Sequence, residues 1–121
     1  MRGVSFIYDV GAYLETLDRV EKMEAAMFVP AHGKASGDVK GLVRYNRDKV
    51  HSVGERILSI CEEPVCFERV LREVFKCYGL SMNFEQYVLV GSTVRSYLSW
   101  LKDTGKLEAA FEDSMLLWQR I

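Results

Sequence analysis

The amino-acid sequence predicts a mainly α-helical fold with a small β component: a partial α/β unit, then three helices and a C-terminal β-hairpin. Apolar residues recur at three- and four-residue steps through most of the chain, the spacing of amphipathic helices. A short apolar run closed by Pro30 follows the first helical pattern and indicates a buried strand. Near the C-terminus, two apolar runs flank Glu112-Asp113-Ser114, which is typical of a hairpin.

The composition is that of one globular domain. The chain has 121 residues, of which 49% are hydrophobic and 27% charged, and its 16 basic and 17 acidic residues give a formal charge of -1. Such a hydrophobic fraction with so little net charge excludes a disordered chain. The balanced charge also argues against a protein held to nucleic acid mainly by phosphate neutralisation.

Two features of the sequence predict the cellular location of the protein. No apolar run approaches the roughly 20 residues that a membrane-spanning helix needs. The N-terminal stretch reaches Asp9 before it could form the apolar region of a signal peptide. We therefore expect a soluble cytoplasmic protein that makes no membrane contact.

The three cysteines, Cys61, Cys66 and Cys77, are odd in number and lack CxxC spacing. We expect reduced thiols that are buried or half-buried; a disulfide or a zinc knuckle is the alternative.

The N-terminal unit, residues 1–38, is predicted to be a helix followed by a strand. The helix extends from Asp9 to Met27, the strand covers Ala26–Pro30, and a glycine-containing polar loop follows over Ala31–Asp38. A helix, a strand and a polar loop in this order form half of an α/β repeat.

The second unit, residues 39–121, begins with two predicted helices. The first starts near Val39 and ends before Pro64, because the residue preceding a proline avoids helical angles. Its apolar positions include Leu42. The next helix starts after a poor N-cap, Cys66, and ends at Gly79, a natural C-terminal glycine.

A further helical stretch covers Phe84–Thr104, and Gly91 leaves open whether it is one helix or two. The predicted hairpin strands are Lys106–Phe111 and Met115–Arg120. Three helices closed by a hairpin describe a winged-helix domain.

His32 is the strongest candidate for a ligand-binding residue in the sequence. It follows the predicted strand at its carboxyl end and precedes Gly33, and α/β proteins place ligand-binding groups at such ends. A neutral imidazole there is a good metal ligand. The alternative is a histidine in a surface turn.

The N-terminal unit resembles the final segment of the metallo-β-lactamase-fold hydrolases, whose pattern YLxSLxxL … PxHG is similar to Tyr13–Leu17 and Phe28–Gly33. This resemblance implies that His32 is a residual ligand of the second metal ion, which is zinc in the parent family. The rest of the chain is similar to the winged-helix extension of one branch of these proteins, in the pieces Val53–Leu58, Glu63-Pro64, Thr93–Leu101, Gly105–Leu107 and Leu117-Trp118.

The chain departs from the family pattern at the metal centre. The family's HxHxDH run is missing, and the second histidine, His51, falls within a predicted helix, where a structural or solvated role is expected. Asp9 lies too late in the pattern to be the bridging aspartate. A dinuclear site needs several histidines and a carboxylate. We therefore predict a C-terminal fragment that binds no zinc tightly and has negligible hydrolase activity alone.

The alternative is that the chain is a standalone winged-helix module, with a nucleic-acid-binding or regulatory function. From Pro64 to the C-terminus the chain carries seven basic residues (Arg69, Arg72, Lys76, Arg95, Lys102, Lys106, Arg120) and seven acidic ones (Glu68, Glu73, Glu85, Asp103, Glu108, Glu112, Asp113). The predicted tip of the wing, Glu112-Asp113, would meet phosphates with the wrong sign. Nucleic-acid binding is therefore disfavoured.

Packing against protein is the favoured role of this domain. It carries more large aromatic residues than a three-helix core requires, namely Tyr87, Tyr97, Trp100, Phe111 and Trp118. A contiguous apolar patch marks a contact site, and we assign Tyr97, Trp100 and Trp118 to it. The expected partner is the missing catalytic domain, near its substrate entrance, or a second copy in a homodimer or swapped oligomer.

Overall fold

The computed structural model describes residues 7–26 and 33–121 of the chain. In chain order the elements are α1 (Val10–Ala26), α2 (Gly33–Ile60), β1 (Val65–Cys66), α3 (Phe67–Cys77), α4 (Phe84–Asp103), β2 (Leu107–Glu112) and β3 (Met115–Arg120). The fold is mainly α with a small β component, as predicted. No helix in these two ranges is long and apolar enough to cross a membrane.

The strands form one antiparallel sheet in the order β1-β3-β2. In the central strand β3, Trp118 lies opposite Val65 on one side and Ala109 on the other. Asp113 and Ser114 join β2 to β3 with φ angles of 56° and 61°. Two consecutive positive φ angles are the mark of a type I′ turn, which matches the twist of a hairpin. The predicted hairpin is confirmed, and β1 adds a short strand that was not predicted.

Helices α2, α3 and α4 pack on this sheet in the arrangement of a winged helix. Helix α3 begins after Cys66, whose side chain makes no capping bond, and it ends before Gly79 at φ +63°. Asn83 caps α4 by accepting a hydrogen bond from the backbone N–H of Gln86 at 2.8 Å. Both ends of α3 confirm the prediction.

Helix α4 is one continuous helix through Gly91. The residue is buried, and a Cβ placed there would lie 3.6 Å from Cζ of Phe67 and 3.9 Å from Cδ2 of Leu71. The lost helix propensity of glycine is therefore offset by close packing of α3 against α4.

The N-terminal unit differs in part from its prediction. Helix α1 matches the predicted helix closely, and the Asp9 carboxylate caps it by accepting from the N–H of Ala12 at 2.9 Å. The predicted loop Ala31–Asp38 is wrong from Gly33 onward, because α2 begins there and runs through the proposed unit boundary at 38/39. Extending an existing helix costs little per residue, which lets α2 include glycines that disfavour a new helix.

Part of the predicted strand Ala26–Pro30 lies outside the described residues. Ala26 itself belongs to α1, and residues 27–30 are not described. The α/β character of the N-terminal unit therefore stays a prediction.

A single core unites the N-terminal segment with the winged helix. Its buried residues are Ile7, Val10, Val50, Val53, Ile57, Leu58, Cys61, Val65, Val70, Leu71, Val74, Phe75, Val90, Val94, Tyr97, Leu98, Leu101 and Leu107. Leu42 was expected to face the core but is 61% exposed, because it lies about 100° around α2 from the buried Val43. Arg47 of α2 adds an ion pair to α1, at 2.8 Å from Asp18 Oδ1.

Candidate functional site

The chain that leads into α1 is fastened to α4 by two buried hydrogen bonds. The backbone N–H of Ile7 donates to Thr93 Oγ1 at 3.1 Å, and that of Val10 donates to Ser96 Oγ at 2.9 Å. Thr93 and Ser96 are only 1% and 8% exposed. Buried backbone donors need such partners, so these two side chains fix residues 7–10, the anchor segment, on α4.

A solvent-open groove of about 450 Å³, the anchor groove, lies between this segment and α4. Its lining residues are Tyr8, Asp9, Gly11, Ser92, Arg95, Ser96, Ser99, Trp100 and Asp103. On α4 they recur at three- and four-residue steps and thus occupy one face of the helix.

The charges of the anchor groove are mixed. Arg95 brings the one guanidinium, and its Cζ lies 3.8 Å from the ring centroid of Phe67, a cation–π contact that holds the side chain against α3. Asp9 and Asp103 contribute two carboxylates. The arrangement can hold a polar group by hydrogen bonds and ion pairs, but it presents no net positive charge to phosphates.

The nucleophilic groups of the same lining are hydroxyls. Ser92 and Ser99 bring hydroxyl groups, yet no histidine or cysteine is found among the described residues that line the groove. A serine is a weak nucleophile without an adjacent base.

Of the three predicted interface residues, the structure places Tyr97 in the core. Its side chain is 1% exposed, and burial raises the pKa of its hydroxyl far above the ordinary range. A partner could not reach it in the folded chain. Trp100 and Trp118 are half-buried and pack against the core.

The two other aromatic residues of the predicted contact surface, Tyr87 and Phe111, differ in exposure. Tyr87 is half-buried and its hydroxyl donates to the Glu68 carboxylate, a bond that raises the Tyr87 pKa. Phe111 stands at the far end of β2 with 78% of its surface exposed.

His32, the predicted metal ligand, lies outside the described residues. The second histidine, His51, is exposed, and its ring lies 5.8 Å from that of Trp100. Within residues 7–26 and 33–121, no three His, Cys, Asp or Glu side chains come together in a way that could hold a metal ion.

The cysteines are free thiols with three different exposures. Cys61 is buried and Cys66 half-buried, whereas Cys77 is exposed, in contrast to the prediction for that residue. Cys77 is the last residue of α3 and lies beyond the buried stripe of that helix. Burial raises the pKa of the Cys61 thiol from its ordinary value of 9.0 to about 11.

No family model matches this chain, and no curated protein or solved structure matches it either.

Of the residues that line the anchor groove, only Trp100 was assigned to a contact surface from the sequence. One signal was present: Thr93 and Ser96 are polar residues at a three-residue step, amid the apolar positions of the last predicted helix. Polar side chains on a buried face must find partners. That requirement predicts that each hydroxyl bonds to a backbone group, either of its own helix or of a segment docked against it.

Proposed function

We propose that this chain is the C-terminal region of a metal-dependent hydrolase of the metallo-β-lactamase fold, acting in the cytoplasm. In this proposal the winged helix is a packing element near the substrate entrance or a subunit interface. His32 is a residual metal ligand, and the remaining zinc ligands come from the catalytic core. The chain alone is inactive.

The observation that carries the proposal is the shared core of the N-terminal segment and the winged helix. Ile7 and Val10 are buried in the same cluster as Val94 and Leu98 of α4. The backbone of both N-terminal residues is also bonded to α4. A winged helix joined in this way to the N-terminal segment would keep a fixed position relative to α1, the helix that precedes the PxHG-like motif in the sequence.

The charges near α4 support packing over nucleic-acid reading. A winged helix reads DNA by placing this helix in the major groove, with basic side chains facing the phosphates. Here the anchor segment occupies part of α4, and Asp9 and Asp103 lie in the same groove as Arg95. Two carboxylates beside one guanidinium weaken binding to a polyanion.

The alternative, a nucleic-acid-binding module, rests on one specific observation. Ser92, Arg95 and Ser99 line the solvent-open side of α4, where side chains could reach a duplex. Duplex binding that weakens steeply with salt and is lost in Arg95→Ala would favour this alternative.

Two assays of the purified chain test the proposal. We expect no zinc-dependent turnover of a thioester or a β-lactam, and no salt-dependent shift of a random DNA duplex. Robust turnover by the unaided chain would contradict the fragment hypothesis. A duplex shift would contradict the packing role but not the proposed hydrolase parentage. The two assays therefore distinguish failure of the packing role from failure of the fragment hypothesis.

A further inference from the structure

A second groove, the turn groove, lies where α3 passes into α4. It has a volume of about 560 Å³ and is lined by Arg72, Phe75, Lys76, Gly79, Leu80 and Met82. Phe75, Leu80 and Met82 give it an apolar floor, and Met82 is still 52% exposed. The described residues that line it include two cations and no carboxylate.

The wing tip, residues 111–115, has the opposite character. Phe111 and Met115 are 78% and 52% exposed. Between them stand the exposed carboxylates of Glu112 and Asp113. The tip is thus an apolar and acidic projection, and its tight two-residue turn holds it in one shape.

Neither surface has an ionic partner within the part of the chain that the structure describes. The ion pairs found there join Arg47 to Asp18 and Glu21. The high exposure of Phe111 also shows that the tip does not insert into the groove of its own chain. Both surfaces are therefore open to another molecule.

We propose that the wing tip of one copy of this chain docks in the turn groove of a second copy. The apolar side chains at the tip match the apolar floor, and the two carboxylates match Arg72 and Lys76. The volume lies within the range of about 300–1,000 Å³ typical of pockets that enclose a ligand, so the groove has room for an aromatic side chain and its neighbours. This proposal does not depend on the parentage of the chain.

A two-fold dimer would use the contact twice, because each copy carries one tip and one groove. Each copy would contribute only the five residues of the tip and the six of the groove, fewer than the roughly 20–30 residues a side of a stable interface, so we expect a weak and concentration-dependent association. Charge complementarity gives the contact its specificity. Phosphate alone would satisfy the groove but would be repelled by the tip.

The test is sedimentation of the full chain over a wide concentration range, with reductant present because Cys77 is exposed. The tip variant combines Glu112→Lys with Asp113→Asn, since asparagine tolerates the positive φ at that position. The groove variant combines Arg72→Glu with Lys76→Gln. Each variant alone should self-associate at least tenfold more weakly than the parent chain.

Mixing the two variants gives the decisive readout. In the mixed dimer, the original tip of the groove variant meets the original groove of the tip variant. The charge-reversed tip likewise meets the charge-reversed groove, so association should return. The control, Glu108→Lys, changes an exposed charge on β2 outside the tip and should leave association unchanged. Phe111→Ser should weaken association without altering a charge.

Three results would overturn the proposal. These are a chain that stays monomeric at every concentration, an association that both charge variants leave intact, and a mixture that fails to associate although both variants unfold cooperatively. DNA binding abolished by the groove variant in a monomeric chain would assign the groove to nucleic acid instead.

Discussion

Trp100 shows how one side chain can join two helices. Its ring lies on α4, 5.8 Å from His51 of α2 and 6.3 Å edge-on from Tyr97. The close approach of α2 depends on Gly54, where an added Cβ would lie 3.2 Å from Cζ3 of Trp100. The absence of a side chain at Gly54 is therefore a packing requirement.

Gly54→Ala should destabilise the protein. Alanine gains about 1 kcal/mol of helix propensity over glycine, but the ring, confined by two aromatic neighbours, must shift to admit the methyl group. We expect the free energy of unfolding to fall by about 1 kcal/mol. Gly41→Ala, in the same helix with nothing within 4 Å, should raise it by up to about 1 kcal/mol. Urea denaturation measures both, and equal stabilisation would refute the packing requirement.

Cys61 should make stability depend on alkaline pH. The native thiol keeps its proton up to a pKa of about 11, whereas the unfolded thiol loses it near 9.0. Between these values the unfolded state binds fewer protons, so the free energy of unfolding falls as pH rises from about 9 to 11. Urea denaturation at several pH values should show a shallower fall in Cys61→Ala. An unchanged slope would mean that Cys61 is not protected by burial.

At the residue scale, the role of a residue can be predicted from sequence when that role depends on local backbone geometry. Gly79 was predicted to end α3 because a left-handed residue is needed there, and its φ of +63° confirms this. Tyr97 was assigned to a contact surface on residue type alone, and the structure buries it at 1% exposure. An aromatic side chain suits a core and an interface equally, so only the three-dimensional packing separates them.

At the element scale, the two hydrogen bonds to α4 should determine how firmly α1 is attached. Ser96→Ala leaves the buried N–H of Val10 without an acceptor, at a cost of about 1–3 kcal/mol in the free energy of unfolding. Ser99→Ala, an exposed position on the same helix, should stay within about 0.5 kcal/mol of the parent chain. Hydrogen exchange at Val10 should accelerate in the first variant alone. Matching effects in the two variants would refute the anchoring role.

Helices and strands could be predicted where their apolar residues recur at a regular spacing. Helices α1, α3 and α4 and the hairpin repeat their apolar residues over enough positions to be recognised. Strand β1 has two residues and shows no period, so only its pairing with β3 defines it. The start of α2 was missed because glycine and serine favour loops locally, whereas a long packed helix can extend through them.

At the scale of the whole molecule, the sequence showed the balance of charge and the acidic pair Glu112-Asp113 at the predicted wing tip, but not the basic and apolar turn groove. That groove draws its residues from α3 and from the chain between α3 and α4, and only the fold shows that they are contiguous. The anchor groove was hidden for the same reason, since it joins Asp9 to side chains of α4.

Our proposal that this chain is the C-terminal region of a metal-dependent hydrolase is tested most directly by determination of the coding sequence immediately upstream of Met1. We expect an in-frame segment that encodes an HxHxDH run and further histidine and aspartate ligands. An upstream region with no trace of these motifs in any reading frame would contradict it.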